Sequence, residues 1–176
     1  MTPAECGLKM VVAGHDTSTS LIGNGTVALL RHPAQRDALV ADPGLIAQVV
    51  EECLRWDAPV PHSTFRYTTD EVRLGGAVIP AYAQVIISLA AANRDPARYR
   101  DAETFDVRRS DGGHLAFGHG IHHCLGAPLA RMEAEVALGA LLARFPGLSL
   151  AIAPQALRWR PVSLMNGLES LPVRLT

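Results

Sequence analysis

FGHGIHHCLG, Phe117 to Gly126, sets one cysteine, Cys124, among three glycines, Gly118, Gly120 and Gly126, just ahead of an apolar helical pattern. Glycine lets a backbone bend tightly, approach a flat ligand closely and aim amide hydrogens at a sulfur atom. A helix starting beyond the cysteine favours thiolate over thiol, because its N-terminus is the positive end of its dipole. Pro128 suits the first turn of such a helix, where a missing amide hydrogen costs little. This is what an anionic sulfur ligand to iron requires. Two other readings stay open from these residues. An isolated Cys-Gly pair is more often a glycine-rich turn with an incidental cysteine. The crowd of His114, His119, His122, His123 and Cys124 also raises zinc, although structural zinc sites present separated ligand pairs and no second pair is visible.

Upstream of this run, residues 93–123 are rich in Asn, Asp, Pro, Arg, Gly and His without a sustained period, which predicts a long irregular connection. Downstream, Leu129, Met132, Val136, Leu141, Leu142 and Phe145 predict a strongly amphipathic helix ending at Pro146-Gly147. A strand-like tail with Leu150, Ile152, Leu171 and Val173 comes next. Short strands are predicted at 64–67, 72–74, 77–79 and 84–88, with Gly75-Gly76 as a tight hairpin turn. Helices are predicted at 33–41 and 45–56, the second placing Leu45, Val49, Cys53 and Trp56 on one face. Before them, residues 3–30 read as one long helix with Leu8, Val11, Val12, Ile22, Leu29 and Leu30 at helical spacing. Its other faces carry mostly Ala, Gly, Val and Thr, so burial nearly all round is expected. AGHDTS in its middle contains Gly14, Asp16 and Thr17, poor helix formers that helix stability does not explain. The fold class is mainly α with small β-sheets (α+β), and residues 1–176 read as one domain without internal repeats.

A hydrophobic fraction of 48% and a net charge of -1 describe a soluble globular chain with no basic face for nucleic acid. Lys9 is the only lysine, a bias more compositional than functional. Cys6, Cys53 and Cys124 are an odd number without repeating spacing, which argues against a disulfide framework and for a reducing compartment. The N-terminal stretch shows neither a secretory signal nor a membrane anchor, so a cytoplasmic location is expected.

The ten-residue run Phe117–Gly126 resembles the cysteine-ligand loop of the cytochrome P450 superfamily, the haem-thiolate monooxygenases, in its soluble bacterial type. The resemblance implies Cys124 as axial ligand to the iron of haem b, Phe117 packing on the loop, Gly118, Gly120 and Gly126 shaping it, and His122 bonding a haem propionate. His123 stands where bacterial members often carry an apolar aromatic residue. In EECLR, Glu52 and Arg55 are three residues apart on a helix and therefore neighbours. Alone, such a pair is usually a surface salt bridge worth at most about 1 kcal/mol. The resemblance instead implies a buried network with an arginine from FDVRR, taken as Arg109, although Thr104 occupies a position where some members carry arginine. AGHDTS resembles the family's oxygen-binding motif, with Gly14 leaving space for dioxygen and Asp16 and Thr17 supplying protons; in isolation, Thr17 bonding back to its helix and Asp16 facing solvent is the usual arrangement. Arg66 matches a propionate-pairing residue. AANRDP and GLESLPVRL match the start of the ligand-loop approach and the last strand. Tyr82 stands where glycine is usual, so an altered turn is expected there.

The resemblance further implies a haem-thiolate monooxygenase that inserts one oxygen atom from O2 into a small apolar organic substrate. Electrons would come from NAD(P)H through a separate ferredoxin or flavin-type donor, since no dinucleotide-binding fingerprint is present. Arg98, Arg100 and Arg131 are expected to help dock that donor. Val60, Pro61, His62, Met165 and Asn166 match positions that approach substrate. Complete family members carry a large portion ahead of the long helix, so the chain reads as the C-terminal haem-binding portion, incomplete at its N-terminus. An apolar helix from Leu8 to Leu30 would then lie partly against water. The alternative is a truncated, catalytically inactive fragment or haem-binding remnant.

Overall fold

Helix α1 spans Pro3–Arg31, and the helical pattern stops at the His32-Pro33 step as expected. A computed structural model describes residues 3–161 and 164–175, with side chains from Val11 onward. The expectations attached to Leu8 and Cys6 lie outside the described side chains. Pro33 opens α2 (Pro33–Ala41), where its fixed φ is already helical and its missing N–H breaks no bond. A short 3₁₀ turn, Pro43–Leu45, leads into α3 (Ile46–Asp57), with the Asp42 carboxylate accepting from the Gly44 amide at 3.2 Å.

Helices α1, α3 and α5 (Ala127–Arg144) pack around one core. Leu21, Ala28 and Leu29 come from α1, Val49, Val50, Cys53 and Leu54 from α3, and Ala134, Leu138 and Leu142 from α5. Gly25 marks the tight crossing. A Cβ there would lie 3.2 Å from Cys53 Sγ and 3.2 Å from Leu138 Cδ1, so those two side chains take the room a larger residue would need.

Helix α1 is buried in its second half, from Ser20 to Leu29, while Val11 and Val12 are 68% and 66% exposed, so it is not buried all round among the described residues and lies partly against water, the other of the two expectations. Helix α5 is not amphipathic in the expected sense. Leu129, Met132 and Val136 are exposed, whereas Ala127, Ala134, Leu138 and Leu142 face the core. Of the six apolar residues expected on one face, Leu142 is buried and Leu141 and Phe145 pack against the core; the other three miss it, and small Ala134 takes the core position in that part of the helix.

The strands form three separate antiparallel pairs: β1 (Arg66–Tyr67) with β4 (Gln84–Val85), β2 (Val72–Leu74) with β3 (Ala77–Ile79), and β5 (Ser149–Leu150) with β6 (Val173–Arg174). Gly75 and Gly76, at φ 54° and 81°, close the β2–β3 hairpin with the twist that two-residue turns need. The strand predicted at 84–88 is cut short by α4 (Leu89–Ala92), whose first turn is capped by Ser88 Oγ accepting from the Ala91 amide. That Ser capping signal is present in the sequence but is weaker than the alternation before it. Among the described residues no helix is long and apolar enough to cross a membrane.

Tyr82 adopts φ 61°, the left-handed conformation glycine would supply, and is 83% exposed. Tyr82→Gly is therefore expected to raise stability by about 0.5–1 kcal/mol, the relief of left-handed strain less the extra freedom of the unfolded chain. Urea unfolding of the two proteins measures this, and an unchanged midpoint would show that the turn carries no strain.

Candidate functional site

Glu52 and Arg55 lie one turn apart on α3, each only 3% exposed. All five N–H donors of the Arg55 guanidinium are used. Two go to the Glu52 carboxylate at 2.7 and 2.8 Å, two from Nη1 to the carbonyls of Asn93 and Ala102 at 3.0 and 2.9 Å, and one to the Thr104 carbonyl at 2.9 Å. Glu52 also accepts from the Asp106 amide at 2.8 Å and has Arg109 Nε at 3.3 Å from Oε2. Arg109 in turn donates to the carbonyls of Arg100, Asp101 and Thr104 and to the Asp111 carboxylate. Thr104 thus serves both arginines through its backbone, and its side-chain identity is immaterial to these bonds. The long connection is irregular, as expected, yet its carbonyls are pinned by two buried guanidinium groups. Removing one partner strands the other. Arg55→Met is expected to cost about 3–5 kcal/mol by leaving Glu52 buried with fewer partners and the Asn93 and Ala102 carbonyls without their guanidinium donor, while Thr104 keeps Arg109. Thermal or urea unfolding reads this, and a loss below about 1 kcal/mol would mean the pair behaves as a solvated one.

A line of hydrogen bonds runs from this network to Cys124. Asn93, fully buried, accepts from Arg55 with its carbonyl and from the Leu115 amide with its Oδ1 at 2.7 Å. The Gly118 amide donates to the Leu115 carbonyl at 2.9 Å, and the Cys124 amide donates to the Phe117 carbonyl at 2.9 Å. Gly118 and Gly120, at φ 73° and 74°, adopt the left-handed conformation that makes this bend. The sequence does not single out Asn93. AANRDP holds it in plain view, but nothing in a sequence shows that an asparagine in a loop will be sealed off from water.

Cys124 is a free, exposed cysteine two residues before the last turn-forming glycine and the start of α5. Ile121 and Leu125 on the same bend are each 97% exposed, so the sulfur lies on a loop that also presents two uncovered apolar side chains. A Cβ at Gly126 would come 3.7 Å from Cys124 Sγ. Cys53 is the opposite case: buried, its thiol pushed far up by desolvation and then by the charges of Glu52 and Asp57, it is chemically inert core.

The other sequence-selected residues divide. His122 is exposed on the loop and Phe117 is partly buried against the core. Arg66 on β1 is exposed, its Nη1 bonded to Thr64 and to the Phe65 carbonyl. In α1, Thr17 Oγ1 donates to the Ala13 carbonyl at 2.6 Å, and the exposed Asp16 carboxylate lies 3.9 Å from Arg160. A Cβ at Gly14 would meet nothing within 4 Å. Asp16 and Thr17 are therefore not joined in one network here. Asn166 is committed elsewhere: its Nδ2 donates to Asp57 Oδ1 at 2.6 Å, its amide to the Pro59 carbonyl at 2.7 Å, and its carbonyl accepts from Asn24. It fastens the tail to α1 and α3, and it also lines a cavity with Trp56, Pro61, Ala91 and Arg94. Burial pushes the Asp57 carboxyl up, more than the Asn166 hydrogen bond pulls it down.

The cytochrome P450 family profile matches residues 41–151, from the end of α2 through β5. The chain belongs to the cytochrome P450 family. It is 52% identical over 165 residues to cytochrome P450 107B1 of Saccharopolyspora erythraea, covering 94% of this chain and 41% of that protein. The 6-deoxyerythronolide B hydroxylase of the same organism is 49% identical over 168 residues, covering 96% of this chain and 41% of its own length. The tirandamycin C-bound P450 monooxygenase TamI superposes with a TM-score of 0.93 at 51% identity, over 97% of this chain and 43% of TamI. The chain thus spans about two fifths of the length of the relatives it matches.

The donor set fits the haem a cytochrome P450 carries. Haem iron needs one protein thiolate on this side, and Cys124 is an exposed free thiol on a bend that also carries two positive-φ glycines and the uncovered apolar side chains of Ile121 and Leu125. A zinc centre would need several ligands, and among the described residues no three His, Cys, Asp or Glu side chains gather to hold a metal. Of the three arginines expected to dock an electron donor, two are engaged within this cytochrome P450 chain. Arg98 Nη2 donates to the Gly112 carbonyl, and Arg131 forks onto Glu51 at 2.6 and 3.1 Å.

Glu51 has no marker in the sequence. Burial pushes its carboxyl up, but His114 and Arg131 beside it outweigh that and hold it down at about 2. Its folded value lies below the ordinary 4.5, so its stabilising contribution is complete above pH 4.5 and is lost as pH falls toward 2. The side chain is 44% exposed, so solvent screening limits the contribution to at most about 1 kcal/mol. Glu51→Gln should accordingly be slightly less stable than the parent at neutral pH, with the gap closing on acidification. Denaturant unfolding across that range tests it; a gap independent of pH sinks the pairing as its cause.

Proposed function

We propose that this chain forms the cysteine-bearing side of the haem site in a cytochrome P450 monooxygenase that hydroxylates, or similarly oxygenates, a small apolar organic substrate. The observation that carries the reading is the exposed Cys124 thiol, whose backbone is tied through Phe117, Leu115 and Asn93 to the buried Arg55–Glu52 pair. The names of two relatives, a hydroxylase and a monooxygenase, support the reaction class.

Haem b, held there, would supply oxygen activation with O2 as co-substrate. The chain's own residues do the rest. Cys124 would hold the iron as thiolate, with Phe117, Gly118, Gly120 and Gly126 shaping the loop that presents the sulfur. His122 and Arg66 pair with the propionates, Arg66 by turning a guanidinium that bonds only to Thr64 and Phe65. Gly14 would leave room for dioxygen. Asp16, as the carboxylic acid, would give its proton to Thr17 Oγ1, which passes its own toward the dioxygen side beside Gly14 after releasing the Ala13 carbonyl it now bonds; the exposed Asp16 carboxylate then regains a proton from solvent. Glu52, Arg55 and Arg109 hold the approach to the loop. Electrons come from NAD(P)H through a separate ferredoxin or flavin-type donor, in the cytoplasm, and residues 1–176 act as one partial domain.

A second reading is a haem-binding remnant without turnover, which would build the same thiolate site and oxidise no substrate. One experiment separates these. The purified chain, loaded with haem, reduced and exposed to carbon monoxide, should show the red-shifted Soret band of thiolate-ligated iron, and Cys124→Ser should lose it. A band unaffected by that substitution overturns the assignment of the ligand. A normal band with no substrate oxidation when a donor is supplied selects the remnant.

A further inference from the structure

The Phe117 ring, at the first position of the ligand loop, is enclosed by three side chains. The Arg131 guanidinium carbon stands 4.7 Å from its centroid, the His114 ring 5.8 Å and the His123 ring 6.3 Å. Arg131 cannot swing away freely, because Glu51 grips it through both carboxylate oxygens. Glu51 Oε2 in turn lies 3.3 Å from Nε2 of His114, whose side chain is only 4% exposed. The Ala116 amide donates to His114 Nδ1 at 3.1 Å, so a neutral imidazole carries its proton on Nε2, the atom facing Glu51. Three elements, α3, the long connection and α5, thereby meet around one ring.

Adjacent residues on a helix diverge by about 100°. Glu52 therefore turns inward to Arg55 and Arg109, while Glu51 turns toward α5 and the loop. We propose that Glu51, His114 and Arg131 are positioning residues that fix the Phe117 ring and, through the Phe117 carbonyl that accepts the Cys124 amide, hold the Cys124 sulfur in place. This clasp acts separately from the Glu52–Arg55–Arg109 network, which reaches the loop through Asn93. Its consequence for iron rests on the reading of Cys124 as the ligand; its geometry does not. Arginine is required at 131 because only a planar fork can lie over the ring while meeting both oxygens of Glu51.

The test is native-state amide hydrogen exchange on the purified chain without haem, comparing the Cys124 amide with that of Val50 in the α3 core. In Arg131→Ala and in Glu51→Gln, the ratio of the Cys124 rate to the Val50 rate should rise about threefold to fivefold, reporting local opening of the loop rather than general loss of stability. The double variant should open no further than the worse single one, since the two residues act through one contact. An unchanged ratio in the milder Glu51→Gln, or strictly additive effects, overturns the proposal. A parent chain that takes up haem without the thiolate band would defeat the functional reading and leave this ratio as it is.

Discussion

A single guanidinium organises the molecule. Arg55, sealed from water on α3, would be intolerable there with any donor unpaired, and each of its five N–H groups has an acceptor. Three of those acceptors are backbone carbonyls from a stretch with little regular structure of its own. The burial of the charge and the order of the loop are therefore one requirement: the loop is held because the arginine must be satisfied.

From that constraint the order passes outward. Asn93 bridges the guanidinium to the Leu115 amide, and short turns carry it to the Cys124 amide. Arg109 secures the same stretch from its far side, with Thr104 giving one carbonyl to both arginines. Glu51, His114 and Arg131 add a contact from the α5 side, where the Phe117 ring is the shared surface. The sulfur is thus reached by backbone bonds from one direction and by ring packing from another, which is how an exposed thiol on a glycine-rich bend keeps a definite position.

Legibility in the sequence tracks the range of the interactions involved. The face of α3 can be read because Leu45, Val49 and Cys53 repeat at helical spacing, and all three are buried. The hairpin at Gly75-Gly76 can be read because its backbone demands positive φ. The face of α5 can be read only in its second half, since small Ala134 is buried while the larger Leu129, Met132 and Val136 are exposed. The role of Asn166 escapes for a similar reason: its partners Asp57 and Asn24 are more than a hundred positions away.

The sequence by itself determined the chemistry available: one cysteine in a glycine-rich bend before a helix, an acid and a base three apart on another, and the helical and hairpin periods around them. These are local properties, set by backbone stereochemistry and residue spacing. Only the tertiary structure decided which charges were sealed from water, which asparagine joined the network, and that two adjacent glutamates serve different elements. Burial and partner choice depend on chain segments far apart in sequence coming together, and no local pattern records that.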